Sequence, residues 1–180
     1  MDGWNSHHHP QTVKDWRKIN NVSTMEKEDS VLESIMWSIA LPGFAQILNG
    51  KIVKGILFIA IEFIINMNSH FNEVIRLSFI GNLEDTITQT NYQWLMFYPC
   101  LYFFAMWDAF KDAGGGKEPF SYFPFLFSAL FVTVGIIYSP KFKVFGIMPG
   151  TVWFPMACVL PGLIIGFFLK AIIKKRMTNN

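Results

Sequence analysis

Four polar side chains stand where their type and spacing could do chemistry: Glu62, Asn66, Asp108 and Asp112. Glu62 lies in ILFIAIEFIIN and is the one formally charged residue between Lys54 and Glu73. An ionised carboxylate in hydrocarbon costs about 2.5–3.5 kcal/mol even on lenient insertion scales, so such a group faces a bundle interior or water. Gly55, Ile59, Glu62, Asn66 and Ser69 recur in steps of three or four and form one partly polar helical stripe. That stripe fits an ion, proton or headgroup site at Glu62 and Asn66. It equally fits a hydrogen-bonded glutamate that locks helix packing. Asp108 and Asp112, in FFAMWDAFKDAGGGKEP, are one helical turn apart with Lys111 alongside. A carboxylate pair there can hold a cation or act as acid and base; it also describes a solvated helix end closed by the following glycines.

Little else in the chain is suited to catalysis. Gly114-Gly115-Gly116-Lys117 resembles a phosphate loop only superficially, because the earlier glycine, the Ser or Thr after the lysine and a preceding strand are missing. His7-His8-His9 could chelate a metal, but a histidine tract without a further ligand gives no metal site. Zinc-ligand spacing, a nucleophile elbow and a histidine-containing catalytic constellation are all absent from the sequence, so no cofactor is expected. Cys100 and Cys158 lie in apolar runs and read as small hydrophobes. Asn21-Val-Ser23 fits a glycosylation sequon too short to carry weight.

The elements that must position these residues are apolar. Of 180 residues, 52% are hydrophobic and only 16% charged, against roughly 25% charged in an ordinary soluble domain. The charges avoid long stretches, as expected of an all-α, polytopic membrane bundle. Residues 1–29 read as a polar cytoplasmic tail without the apolar stretch of an export signal. The membrane domain is 30–173, with apolar segments at 31–48, 52–68, 93–110, 120–139 and 147–173. Residues 174–180 form a basic C-terminal tail. Three prolines, Pro149, Pro155 and Pro161, predict a broken last span. FNEVIRLSFI, between the second and third segments, predicts an amphipathic helix presenting Phe71, Val74, Ile75 and Phe79.

The first segment is the ambiguous one. Ser30-Val-Leu-Glu33 has the form of a capping box and predicts a helix start. About three turns later comes LPGFAQILNGKIVKG, residues 41–55, in which Pro42-Gly43 predicts a break. Lys and Arg near span ends favour the cytoplasm. If this segment turns back, leaving four spans and both termini inside, twelve of the fifteen Lys and Arg residues fall inside; if all five segments cross, the division is seven against eight. Four spans plus a partial or interfacial N-terminal hairpin is therefore the preferred topology, with five spans as the alternative. In the hairpin, Asn49-Gly50 would turn, Gly43 and Gly55 would let the arms approach, and Gln46 and Asn49 would satisfy backbone groups freed by Pro42.

Taken with MWDAFKDA, that motif resembles an uncharacterised family of small polytopic membrane proteins of Bacillus-like Gram-positive bacteria. It is distantly similar to two-transmembrane-segment hairpin domains, with Pro42, Gly43, Gln46, Asn49, Gly50 and Gly55 matching the hairpin signature and Asp108 the terminal aspartate. The resemblance spans roughly residues 31–113. Relative to the hairpin domains it carries an insert at 69–92, and Leu48 stands where an aromatic is usual. It implies a bacterial plasma membrane and no activity. The expected role is a non-enzymatic structural or accessory component acting on the bilayer, a membrane-protein partner or a second copy, with no nucleic acid involved. A permeation element using Glu62 is the alternative, and an enzyme acting on lipid the third reading.

Overall fold

The computed structural model describes residues 13–143, 146 and 148–178, and every regular element among them is helical. The chain begins with α1 (Val13–Ala40), which runs straight through Ser30. The capping-box start is therefore not used, and the expected polar tail is helical from Val13. His7, His8 and His9 lie outside the described residues.

At Pro42 the helix stops, and Gly43 takes a left-handed φ of 99° that an L side chain rarely adopts. The short α2 (Phe44–Leu48) then reverses direction. It closes at Gly50, also left-handed at φ 76°, with Lys51 N–H donating back to the Gln46 carbonyl at 2.7 Å. The next helix is α3 (Ile52–Ser69). Residues 31–48 are thus a helix end, a turn and a returning helix.

The 69–92 insert folds into α4 (Phe71–Phe79) and α5 (Leu83–Gln89). In α4 the buried residues are Val74, Leu77 and Ser78, while Phe79 is exposed with its ring edge on Trp153. The expected 93–110 span divides into α6 (Tyr92–Leu95) and α7 (Tyr98–Asp112). Pro99 explains the division, since it has no N–H to offer the Leu95 carbonyl four residues back. Met96 and Phe97 keep right-handed helical dihedrals, so the chain direction persists. The two remaining helices are α8 (Phe123–Tyr138) and α9 (Gly150–Thr178). Contrary to the expected break, α9 is continuous through Pro155 and Pro161 and includes most of the basic tail.

The contacts order the helices as antiparallel neighbours. Lys54 in the first turn of α3 meets Asp108 and Asp112 at the end of α7. Glu62 farther along α3 meets Tyr98 at the start of α7. On α8 and α9 the pairs run oppositely: Pro124 against Gly166, Ser128 against Gly162, and Gly135 against Pro155 and Cys158. A Cβ on Gly162 would stand 2.6 Å from the Ser128 Cα. The Gly162/Gly166 pair is therefore occupied by this chain's own α8. Phe103, Met106 and Ala129 form the buried core cluster, with Ile35 of α1 and Val159 of α9 against it.

Two helices are long and apolar enough to cross a membrane, Ile52–Ser69 and Gly150–Met177. With 16 residues α8 is about 24 Å long, short of the ~30 Å hydrocarbon core. The four expected crossings are thus not established by helix length. Gly162→Val should lower stability in detergent by roughly 1–3 kcal/mol through overpacking, while Ala157→Val, on the exposed face, should change the melting temperature little. Equal effects of the two would remove the close α8–α9 contact from the account.

Candidate functional site

The reversal at Pro42-Gly43 carries the polar residues of α1, α2 and α3 to one end of α7. Gly43 and Gly55 permit the approach: a Cβ on Gly55 would lie 2.5 Å from the Gly43 carbonyl oxygen and would overlap Ile47. Gln46 is fully buried, and its Nε2 donates to the Ala105 carbonyl at 2.8 Å and to Asp108 Oδ2 at 3.2 Å. Gln46 Oε1 is buried with no hydrogen-bond donor. Asn49 Nδ2 reaches the Ala109 carbonyl at 3.5 Å, and the Ser34 hydroxyl donates to Asn49 Oδ1 at 3.4 Å. Hence the amides of α2 serve the backbone of α7, not the groups freed around Pro42.

Lys54 closes this end. Its Nζ lies 2.8 and 2.9 Å from the two Asp108 oxygens and 2.9 Å from Asp112 Oδ2. The lysine side chain is 39% exposed and the aspartates 17% and 19%. One helical turn separates the aspartates, so a single ammonium can bridge both. Two carboxylates already sharing three short contacts with an ammonium are poorly placed as acid and base. They are well placed to hold the start of α3 on the end of α7. The separation of Lys54 from the aspartates in sequence gives no hint of the pairing.

Glu62 and Asn66 are placed elsewhere, towards the opposite end of α3. Tyr98 donates to Glu62 Oε1 at 3.4 Å, and its ring stacks on Tyr102 with centroids 5.7 Å apart. Tyr102 in turn donates to the Ile39 carbonyl in the last turn of α1, one of the orphan acceptors at a helix end. This tyrosine pair links α3 to the tip of the hairpin. Asn66 accepts from the Asn72 N–H at 3.2 Å and donates to the Asn72 side chain, so it caps the first turn of α4. The structure brings Asp108 and Asp112 together and leaves Glu62 and Asn66 on separate duties.

A second polar knot, not anticipated from sequence, ties α5 to α9. Thr86 and Thr151 are buried, the Thr151 hydroxyl donates to the Thr86 carbonyl at 3.4 Å, and Tyr92 Oη is 3.0 Å from Thr151 Oγ1. Isolated threonines carry no spacing signal that would have marked them. Cys158 is half-buried as expected for a small hydrophobe, whereas Cys100 is exposed. Among the described residues no group of three or more His, Cys, Asp or Glu side chains is arranged to hold a metal ion. No family model, curated protein or solved structure matches the chain.

Two expectations test this geometry. In a double-mutant cycle in detergent, Lys54→Met and Asp108→Asn should show a coupling of about 1 kcal/mol, the upper range for a partly exposed pair; additive effects would dissolve the clamp. Between α7 and α8, Glu118 contacts Lys174 and Lys170, each at 2.9 Å, and these ammoniums hold its carboxyl down to about 2. A depressed folded pKa stabilises above the unfolded value of roughly 4.3 and loses that contribution as pH falls towards the folded one. Glu118→Gln should therefore flatten the stability profile between about pH 4.3 and 2, measured by thermal melts. An unchanged acid limb would contradict the pairing.

Proposed function

We propose that the chain is a multi-pass protein of a bacterial plasma membrane that acts without catalysis, as a structural or accessory component. It would cross the bilayer with α3, α6–α7, α8 and α9, and insert the α1–α2 hairpin part-way from the cytoplasmic face. One observation carries this reading: the two longest apolar helices are bare, with only 22% and 11% of their most apolar windows buried. The core helix of a soluble protein buries such a surface. Here Phe63, Met67, Leu160, Ile164 and Phe168 are all more than 60% exposed, and lipid is the solvent that suits them.

The polar groups support the non-catalytic part. Lys54, Asp108, Asp112, Gln46, Asn49, Glu62 and Asn66 all have partners within the chain. Each is spent on holding one helix to another, and α9 runs on through Pro155 and Pro161 without the unwound segment that lines transport sites.

Single-cysteine variants on a Cys100→Ser/Cys158→Ser background test the topology. Lys51→Cys and Arg176→Cys should react with an impermeant maleimide only after the cells are opened. Gln93→Cys and Lys141→Cys should react in intact cells. External labelling at position 51 would put the first segment across the bilayer and discard the topology.

A further inference from the structure

The exposed surface of α4 changes chemistry along its axis. Its first two turns turn Asn72, Glu73 and Arg76 outward, with Glu73 and Arg76 ion-paired at 2.6 Å. The helix then ends in Phe79, followed by Ile80, and these are 70% and 62% exposed. Val74, Leu77 and Ser78 supply the buried face. Beyond Ile80 the chain turns away at Gly81, left-handed at φ 83°, where a Cβ would meet nothing within 4 Å. An apolar pair thus stands at a free tip.

Trp153 ties this tip to α9. Its indole N–H donates to the Ser78 carbonyl at 3.3 Å, and its ring meets the Phe79 ring edge-on with centroids 5.1 Å apart. The polar edge of the indole is thus on a helix-end carbonyl and its apolar body beside Phe79, the division that suits tryptophan to a membrane–water interface. Trp153 also heads a stripe. Met156, Leu160, Ile164 and Phe167 follow it in steps of three or four, all exposed, which places the five on one face of α9. Phe79, against Trp153, continues that bare face onto α4.

Lipid is the occupant that this continuity selects. On its own the tip is too small for a stable protein partner. A buried aromatic side chain covers about 150–250 Å², against roughly 800 Å² per partner in a standard interface. A bilayer needs no such area, because the solvent that suits the α9 stripe reaches the tip as well.

We propose that the end of α4 is a membrane anchor, with Phe79 and Ile80 seated in the headgroup–acyl boundary of the outer leaflet and Asn72, Glu73 and Arg76 in water. The proposal rests on the membrane reading above and deepens it by assigning a lipid contact to the 69–92 insert. Apolar helix faces in that boundary sit about 5–10 Å deep. About 12 Å of helix rise separates Asn72 from Ile80, enough for an inclined α4 to pass from water to that depth. The anchor holds the insert down on the bilayer at the end of the bundle where the Thr86–Thr151 knot joins it to α9.

The test uses the full chain on a Cys100→Ser/Cys158→Ser background, spin-labelled at one introduced cysteine and reconstituted into phosphatidylglycerol/phosphatidylcholine vesicles. Collision with oxygen, which concentrates in lipid, is compared with collision with a water-soluble nickel chelate present on both sides of the vesicles. At Ile80→Cys oxygen should dominate, and at Glu73→Cys the order should reverse. Both positions are exposed, so neither label disturbs the packed face of α4. Ile164→Cys, midway along α9, gives the reference for a side chain in lipid. Oxygen dominance at position 164 with chelate dominance at position 80 would overturn this inference alone, by placing the tip in water. Protection of position 80 from both reagents would also overturn it, by putting protein such as a second copy over the tip. Chelate dominance at position 164 would overturn the membrane reading as well.

Discussion

The backbones of Gly43 and Gly55 pass so closely that a methyl group on either would collide with the other's carbonyl oxygen at 2.5 Å. This contact is possible only where both chains lack a Cβ. It allows α2 to fold back along the start of α3, after which the rest follows by reach. Gln46 and Asn49 come within hydrogen-bonding distance of α7 carbonyls, Lys54 meets two aspartates, and Tyr102 closes the end of α1. Overpacking a contact this tight costs of the order of 1–3 kcal/mol. Because all the interactions share one reversal, such a loss would be felt at each of them.

Polar contacts in this bundle do the locating, and apolar surface faces outward. In water, apolar burial supplies the driving force for packing. Between helices in lipid that force is absent, and association relies on close packing and hydrogen bonds between them. The α8–α9 pair shows the packing route, with Gly162 and Gly166 set against the α8 backbone. At the junction of hairpin and α7 the hydrogen-bonding route prevails, through Gln46 and Lys54. The α5–α9 threonine knot uses the same route at the far end.

Local signals in the sequence were legible in proportion to how local their causes are. Pro42-Gly43, Asn49-Gly50 and the apolar run of α3 each act within a few residues, and the turn and helix stand where these residues place them. Effects needing a neighbour were not legible. The α6–α7 lapse belongs to Pro99, yet Pro155 and Pro161 leave α9 unbroken, and composition alone does not separate these cases. Ser30 and Glu33 form a capping pattern that goes unused because the chain before them is already helical. Of the candidate site, the Asp108–Asp112 spacing was visible, but its occupant Lys54 lies more than fifty residues away in sequence. Asn66 shared a stripe with Glu62, but the α4 backbone claims it.

The reversal at Gly43 can be measured directly. Spin labels at Leu32 and Leu48, both exposed, report whether the chain folds back between them. The structure sets Ser34 within 3.4 Å of Asn49, so labels on the two arms should show strong dipolar broadening, consistent with a separation below about 20 Å. A helix running on through Pro42 would separate the two Cα atoms by about 24 Å, at roughly 1.5 Å per residue. Spectra without such broadening in the reconstituted protein would contradict the hairpin and the contacts that depend on it.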